Sequence, residues 1–220
     1  MHYNLLKYAL VLSLVLLSGC ASLFGPDTDV LETENLTPGP IYSKEMAIRH
    51  WQKHSAQLSQ QTHWQIMGKI GLFNEDEAVS LNLFWQQMGN DYEIIMSNPF
   101  GTPVIEMKKQ GETLWLRIEQ EQEYWGSDPQ DLIKSLTGWK LPIEQMPQWL
   151  KGLPGDADYQ LSNQGVIKMA TLDTKPEWRL QYKQYKYWQS QLFPNKMVLN
   201  SGHNKVKLAI SEWTIKDARQ

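Results

Sequence analysis

The sequence is poor in cysteine and has no strong excess of either charge. Its 220 residues contain one cysteine, Cys20, so an intramolecular disulfide is impossible. An unpaired thiol in an exported protein needs a separate explanation. The 21 Lys and Arg residues against 24 Asp and Glu give a net charge of −3. Because nucleic-acid-binding domains carry a basic excess, this balance argues against nucleic acid as the partner.

Catalytic and ligand-binding motifs are also missing. The sequence has neither a nucleophile elbow nor a phosphate-binding glycine loop. His50 and His54 have a spacing that can bind a metal on a helix, but Trp51 stands where a metalloprotease has Glu, and no third ligand follows. We therefore interpret both histidines as solvent-facing, and the acidic run 75–77 as a solvated turn. We predict no enzyme activity, no catalytic residue, no metal site and no cofactor.

Long apolar runs are confined to the amino terminus. Tyr8–Leu17 is apolar apart from Ser13, follows Lys7, and ends in the small residues before Cys20. About ten apolar residues cannot cross the roughly 30 Å of hydrocarbon in a bilayer. A positive start, a short apolar stretch and small residues at the end are typical of a signal peptide. We predict that residues 1–19 are a signal peptide that is removed.

The remaining chain divides into a tether and a domain. Pro26, Pro38 and Pro40 interrupt a polar stretch, which predicts a flexible tether over residues 20–42. Residues 43–220 have a length that suits a single domain.

Three helices are predicted within this domain. An amphipathic helix extends from Ser43, its N-cap, to Gln61. Two shorter helices cover Pro129–Leu136, with Asp128 as the cap, and Glu144–Leu150. The apolar face of the first helix consists of Ala47, Ile48, Trp51 and Leu58.

Most of the domain is predicted to be antiparallel β-sheet. Apolar residues alternate with polar ones in short runs that are separated by turn residues, which is typical of a meander. The runs are 64–72, 81–85, 92–96, 104–108, 114–119, 166–172, 178–182, 196–199 and 206–213.

Too few helices are predicted to cover both faces of so many strands. Either one face is solvated or the sheet curls around a core. The inward positions are large and apolar, and they allow two outcomes: an ordinary filled core, or an incompletely closed barrel whose apolar cavity accepts alkyl chains. The residues alone leave both open.

Several segments resemble one family in order and spacing. Leu17–Cys20 resembles the bacterial lipobox, and the two residues after it resemble those of lipoproteins sorted to the outer membrane. The domain resembles the LolB family, the outer-membrane lipoprotein receptors of Gram-negative bacteria. The segments that carry this resemblance are Trp64–Ile70, Phe84–Gln87, Ser97–Thr102, Leu136–Gly138, Trp149–Ala157 and Trp213–Lys216.

The resemblance implies a fold, a location and a function. The fold is mostly β, an antiparallel, incomplete (open) β-barrel of about eleven strands with a helical lid that encloses an apolar cavity. Acyl chains such as palmitate on Cys20 anchor the protein to the periplasmic face of the outer membrane. A monomer there receives acylated lipoproteins from a LolA-like soluble periplasmic carrier and inserts them into the inner leaflet, so that outer-membrane lipid is a further partner.

The resemblance also implies site residues. Pro99, Phe100 and Gly101 form a membrane-insertion loop, in which the family usually has Leu where this chain has Phe100. From the residues alone, Phe100 could instead fold back into the core. Methionines at 67 and 96 lie near the lining and could adapt it to varied cargo. The residues assigned to the acyl-chain cavity are Trp64, Ile66, Ile70, Leu81, Leu83, Trp85, Leu114, Leu116, Trp178, Leu180 and Tyr182.

Two other functions are compatible with the sequence. The first is a non-catalytic lipid-sensing or envelope-tethering lipoprotein on a related half-barrel, which needs a persistent protein partner. The second is a hydrolase of lipid or cell wall, which needs a buried nucleophile or a carboxylate pair that the sequence does not reveal.

Overall fold

A computed structural model describes residues 35–119, 122–137, 141–175 and 177–216. The predicted signal peptide, Cys20 and the tether up to residue 34 lie outside the described residues. Within the described ranges, no helix combines the length and the apolar character needed to cross a membrane.

Eleven strands form one antiparallel sheet with the order β6-β5-β4-β3-β2-β1-β11-β10-β9-β8-β7. In the described part of the chain, the edge strands β6 and β7 do not pair with each other, so the barrel is open, as predicted. The strands are β1 His63–Phe73, β2 Ala78–Met88, β3 Asp91–Ser97, β4 Pro103–Gln110, β5 Thr113–Ile118, β6 Gln122–Gly126, β7 Asp158–Leu161, β8 Ile167–Leu172, β9 Trp178–Trp188, β10 Gln191–Ser201 and β11 Asn204–Ile215.

The three described helices agree with the predicted positions. They are α1 Lys44–Ser59, α2 Pro129–Thr137 and α3 Met146–Lys151. The Ser43 hydroxyl accepts a hydrogen bond from the Met46 amide, and the Asp128 carboxylate accepts from two amides in the first turn of α2. Gly152, at φ 85°, ends α3 in the left-handed conformation that glycine adopts without a steric penalty.

The buried face of α1 differs from the prediction at one position. Ala47, Trp51, His54 and Leu58 are buried, whereas Ile48 is 40% exposed. The four buried positions lie on one stripe at i, i+4, i+7 and i+11. Ile48 is one residue, or about 100° of rotation, away from that stripe. The sheet thus packs against a line that includes a histidine and excludes an isoleucine.

A bulge shapes the contact between β1 and β11. The pairing register shifts between Met67 and Gly68. A Cβ atom on Gly68 would lie 2.3 Å from the carbonyl oxygen of Ala209, so only glycine permits this approach. Because bulges increase strand twist and bend, this one helps the sheet to curl.

The folded domain begins before residue 43, the predicted boundary. The Tyr185 amide donates to the carbonyl oxygen of Leu36, and the Tyr42 amide donates to that of Asn163. The Gln164 side chain binds the backbone of Thr37 and Gly39 through three hydrogen bonds of 2.9–3.1 Å. Residues 36–42, predicted as tether, are therefore fastened to the domain.

The barrel has two different ends, which are defined by its turns. At the helix end lie the β2–β3, β4–β5 and β9–β10 turns, the start of β1, and the contacts of α1 and α3. At the loop end lie the β1–β2, β3–β4 and β10–β11 turns, including the loop that carries Phe100. All three helices pack at or near the helix end, since α2 contacts β6 and α3 contacts β10 close to Pro194.

Candidate functional site

The eleven residues predicted to line the interior are all buried on the inner face of the sheet. Their exposed fractions range from 0% at Trp64 to 6% at Leu81. The register aligns Tyr182 with Met197, Met197 with Leu208, and Leu208 with Ile70. On the other side of β1, Ile66 is opposite Trp85. One continuous apolar surface therefore extends across the sheet, which is what a receiver of alkyl chains requires.

An aromatic cluster occupies this surface near the helix end. The ring centroid of Trp64 lies 6.1 Å from that of Trp85 and 5.2 Å from that of Trp213, which stacks on Phe193 at 4.4 Å. The indole N–H of Trp85 donates to the Gln87 side chain at 2.9 Å. These contacts give the interior rigid aromatic walls with satisfied indole donors.

Other inner-face residues were not among the predicted lining. Tyr92, Ile94 and Met96 on β3 and Met107 on β4 are buried beside Trp85 and Leu116. On β3, the sequence signal is that Tyr92, Ile94 and Met96 occupy every second position, whereas β4 shows no such alternation around Met107.

The prediction that Met67 lies near the lining of the interior is wrong. Its side chain is 40% exposed, because β1 places it on the outer face between the inward-pointing Ile66 and the bulge. Met96 is buried, as are three further methionines on other elements: Met107, Met146 and Met197. Flexible thioether side chains are therefore present in the interior, but at other positions than expected.

Buried polar groups fasten the helices over the interior. The Tyr182 hydroxyl donates to the carbonyl oxygen of Trp149 in α3 at 2.8 Å. The Lys151 ammonium donates to the carbonyl oxygen of Gln61, just after α1, at 3.2 Å. Burial lowers the pKa of Lys151 and raises the pKa of Tyr182. These hydrogen bonds connect α3 with the barrel and with the end of α1.

The two helical histidines have different environments. His50 is exposed, as predicted, but His54 is 8% exposed, so its interpretation as solvent-facing is wrong. Burial, together with the nearby charge of His50, lowers the pKa of His54 to about 4, and its Nε2 atom has no hydrogen-bond partner. No group of three or more metal-binding side chains occurs among the described residues.

Apolar side chains are less completely covered at the loop end. Inner-face residues of β1, β4, β5 and β8 are only half-buried there. In contrast, Trp64, Leu114 and Tyr185 at the helix end are at most 1% exposed. Part of the apolar inner face is thus accessible to solvent at the loop end. The half-buried residues are Leu72, Ile105, Ile118 and Leu172.

The β3–β4 loop is held in one conformation by Asn98. Its side-chain oxygen accepts hydrogen bonds from the amides of Phe100 and Thr102 at 2.9 and 3.0 Å. Its backbone oxygen accepts from the side chain of Asn82 at 2.9 Å. Gly101, at φ 87°, completes the turn. The predicted loop, Pro99 to Gly101, did not include Asn98, although Asn before Pro is a turn signal.

Phe100 lies at the tip of this loop and is 95% exposed. The possibility that it folds back into the core is therefore excluded. An exposed phenylalanine on a fixed turn is a rigid apolar projection, which is what an interfacial membrane contact uses.

A family model and individual relatives match this chain to the same protein family. A family model described as outer membrane lipoprotein LolB matches residues 62–213. The outer-membrane lipoprotein LolB of Tolumonas auensis is 34% identical over 166 residues, which cover 76% of this chain and 84% of that protein. That of Vibrio cholerae is 32% identical over 209 residues, which cover 92% and 93%.

Solved structures show the same fold at low sequence identity. A LolA superfamily protein from Nitrosomonas europaea superposes with a TM-score of 0.51 at 12% identity and covers 78% of this chain and 94% of its own. A DUF1329 family protein from Desulfovibrio piger has the same TM-score at 7% identity and covers 78% and 92%.

Proposed function

The chain belongs to the LolB family of outer-membrane lipoproteins, and from this premise we propose that it receives lipoproteins and inserts them into the outer membrane. Its interior accepts the acyl chains of a lipoprotein delivered by a LolA-like soluble periplasmic carrier. The Phe100 loop then contacts the inner leaflet, where the cargo is released. The protein acts as a monomer and performs no chemical reaction.

One observation supports this proposal: the continuous apolar surface on the inner face of the sheet, part of which is accessible to solvent at the loop end. Three acyl chains of about sixteen carbons, at about 0.8 kcal/mol per methylene, would cost up to roughly 30–40 kcal/mol if exposed to water. A carrier and a receiver must therefore exchange cargo without exposing it. Trp64, Trp85 and Leu83 offer the apolar surface that this exchange requires.

Transfer must proceed downhill, because the sequence has no nucleotide-binding motif. A ligand moves between sites according to its differential affinity for them. The interior must therefore bind acyl chains more tightly than the carrier does, and the bilayer must bind them more tightly still. Buried methionines such as Met96 and Met107 suit cargo of varied shape.

Cys20 is the proposed attachment site for the protein's own acyl chains. It is the only cysteine, and it follows a predicted signal peptide. Two acyl chains suffice for stable anchoring. Replacement of Cys20 by Ser should leave the protein unacylated, as mass spectrometry of the mature protein would show.

A transfer assay tests the role of the interior. The protein is mixed with a carrier that is loaded with an acylated lipoprotein, and the cargo on each protein is measured after separation. Leu83→Lys should reduce uptake at least tenfold, because the new ammonium group would lie among buried apolar side chains. Gln86→Lys is the matched control on the same strand, since Gln86 lies on the outer face opposite Glu93.

Two outcomes would contradict the proposal. Unchanged uptake by a folded Leu83→Lys protein would exclude the interior as the binding site. If the charged variant does not fold, Leu83→Trp fills the same space without a charge and should also reduce uptake. Failure of the unaltered protein to take cargo, together with capture of a stable envelope partner, would support the tethering alternative instead.

A further inference from the structure

Positive charge is concentrated on four neighbouring strands. β9, β10, β11 and β1 contain six lysines and one arginine but a single acid, Glu212. The whole chain has a net charge of −3, so the rest of the molecule is correspondingly acidic. Natural surfaces normally mix the two signs. A surface of one sign points to a partner of the other sign.

Five of these lysines lie on the outer side of the barrel, and we name this surface the lysine face. Each one alternates with inward-pointing buried residues such as Ile70, Leu208 and Met197. The register aligns the outer positions across the strands: Lys69 is opposite Ala209, which is opposite Lys196. With strands about 4.8 Å apart, these two ammonium groups start from backbones about 10 Å apart. The lysine face comprises Lys69, Lys183, Lys196, Lys205 and Lys207.

Three lysines of this face form no ion pair with any described residue. Among the described residues, no carboxylate lies within 4.0 Å of the side-chain nitrogen of Lys69, Lys183 or Lys196, and all three are exposed. The Lys207 ammonium lies over the ring of Phe73, 5.4 Å from its centre. Glu212 lies opposite Met67, two residues from Lys69 on β1, but its carboxylate is more than 4.0 Å from the Lys69 ammonium. The charges of Lys69, Lys183 and Lys196 therefore remain available to an anionic surface.

The first described residues of the chain are fastened to one of these strands. The Tyr185 amide of β9 binds the carbonyl oxygen of Leu36, and Gln164 fastens the next residues. Cys20 precedes Leu36 by sixteen residues, which can span at most about 55 Å when fully extended. A membrane that holds acyl chains on Cys20 is therefore always within reach of β9.

We propose that the lysine face binds the anionic phospholipid headgroups of the membrane to which the protein is anchored. Lysine ammonium groups donate to phosphate oxygens as point charges, and each is worth about 1 kcal/mol near an anionic surface, or about fivefold in binding. The domain then rests on its β9–β1 side. This contact is separate from the Phe100 loop, which lies between β3 and β4 in the other half of the sheet. It rests on anchoring through Cys20 and not on cargo transfer.

Lysine footprinting of the acylated protein in vesicles tests the proposal. An amine-reactive acylating reagent is applied in phosphatidylcholine vesicles and in vesicles with 30% phosphatidylglycerol, and modification is quantified by mass spectrometry. Lys69 and Lys196 should react at least fivefold more slowly in the anionic vesicles. Lys44 and Lys53, exposed on α1, should react equally in both.

Added salt and charge-reversal variants test whether the protection of the lysines is electrostatic. In 1 M NaCl, where the screening length is about 3 Å, the protection should disappear. Inorganic phosphate at matched ionic strength should compete no better than chloride. Lys69→Glu with Lys196→Glu should abolish the protection that remains at Lys183. Lys44→Glu with Lys53→Glu makes the same change in net charge and should preserve it.

Each alternative result overturns the proposal. Equal reactivity in the two vesicles would show that the face does not bind anionic lipid. Protection that appears only after the carrier is added would make the face a protein-docking surface. Lysine-face variants should still take cargo from the carrier, and normal transfer by an unaltered protein that shows no lipid protection would refute this proposal alone. Failed transfer by the unaltered protein with normal protection would refute only the proposed function.

Discussion

The two ends of the barrel use apolar side chains in opposite ways. At the helix end, Trp149 of α3 and the sheet residues Trp64 and Tyr185 are at most 1% exposed. At the loop end, Leu72 and its neighbours are half-buried and Phe100 is 95% exposed. The same kinds of residue therefore contribute to stability at one end and remain available for contacts at the other.

This difference predicts which property of the protein a substitution at each end should change. Burial of apolar area stabilises the fold roughly in proportion to the area removed from water. A residue at the helix end should therefore affect the free energy of unfolding, whereas a residue at the loop end should mainly affect function. The following predictions test that separation, beginning with the largest expected change in stability.

Trp149→Ala should reduce the free energy of unfolding by about 3–5 kcal/mol, because it opens a cavity under α3. It also removes the indole hydrogen bond to the carbonyl oxygen of Pro154. Urea unfolding followed by circular dichroism would measure the change. Trp125→Ala is the control: Trp125 is 66% exposed, so its loss should cost less than about 0.5 kcal/mol. Equal effects of the two substitutions would contradict the assignment of the helix end.

The stability of the helix end should also depend on pH through His54. Its pKa is about 4 in the folded state against about 6.5 when unfolded, so the unfolded state takes up a proton first as the pH falls. Stability should therefore decrease from pH 6.5 to pH 4, by on the order of 3 kcal/mol from this residue. Subtracting the unfolding free energy of His54→Leu from that of the unaltered protein at each pH isolates the contribution of His54.

The control for that measurement is His203→Leu, at an exposed histidine that pairs with Glu75 at the loop end. This variant should keep the pH dependence of the unaltered protein. If the difference in unfolding free energy between the unaltered protein and His54→Leu does not change between pH 6.5 and pH 4, the histidine is not buried in solution.

Leu72→Ala at the loop end should cost about 1 kcal/mol, because its side chain is only half-buried. The same substitution at Leu114, which is 1% exposed at the helix end, should cost about 2–4 kcal/mol. Chemical unfolding of both variants compares the ends with identical chemistry. A larger effect at Leu72 would mean that the loop end is closed in solution.

The inner face could be predicted from the sequence because alternation directly encodes which side of a strand is buried. Trp85, Leu83 and Leu81 follow one another at a period of two, and the structure places all three inside. The helices were predictable for a similar local reason, since Ser43 and Asp128 act on amides within three residues.

Features that depend on distant contacts were not predictable. The edge strands Gln122–Gly126 and Asp158–Leu161 are largely exposed and show no regular hydrophobic period, and each pairs with a single neighbouring strand. The clamp of Gln164 on Thr37 spans 127 residues of sequence. The burial of His54 depends on the strand that α1 covers, which the helix sequence does not reveal.

Phe100→Glu should leave the free energy of unfolding unchanged within about 0.5 kcal/mol, since the side chain is 95% exposed. Cargo uptake from the carrier should also persist. Release of cargo into phospholipid vesicles should decrease strongly, because a charged side chain does not enter the bilayer interface as an aromatic one does. Phe100→Leu, which restores an apolar tip, should retain release.

The comparison between ends is most sensitive to Asn98, which holds the loop through two amide hydrogen bonds. Asn98→Ala keeps Phe100 but frees the turn, and it should slow vesicle insertion less than Phe100→Glu does. Unimpaired insertion by Phe100→Glu would remove the membrane role of the loop and leave the half-buried rim of Leu72, Ile105, Ile118 and Leu172 as the surface that meets the bilayer. If Asn98→Ala instead equals Phe100→Glu, the conformation of the turn matters as much as its apolar tip. In that case the loop end works as a preorganised projection, and its exposed phenylalanine alone is insufficient.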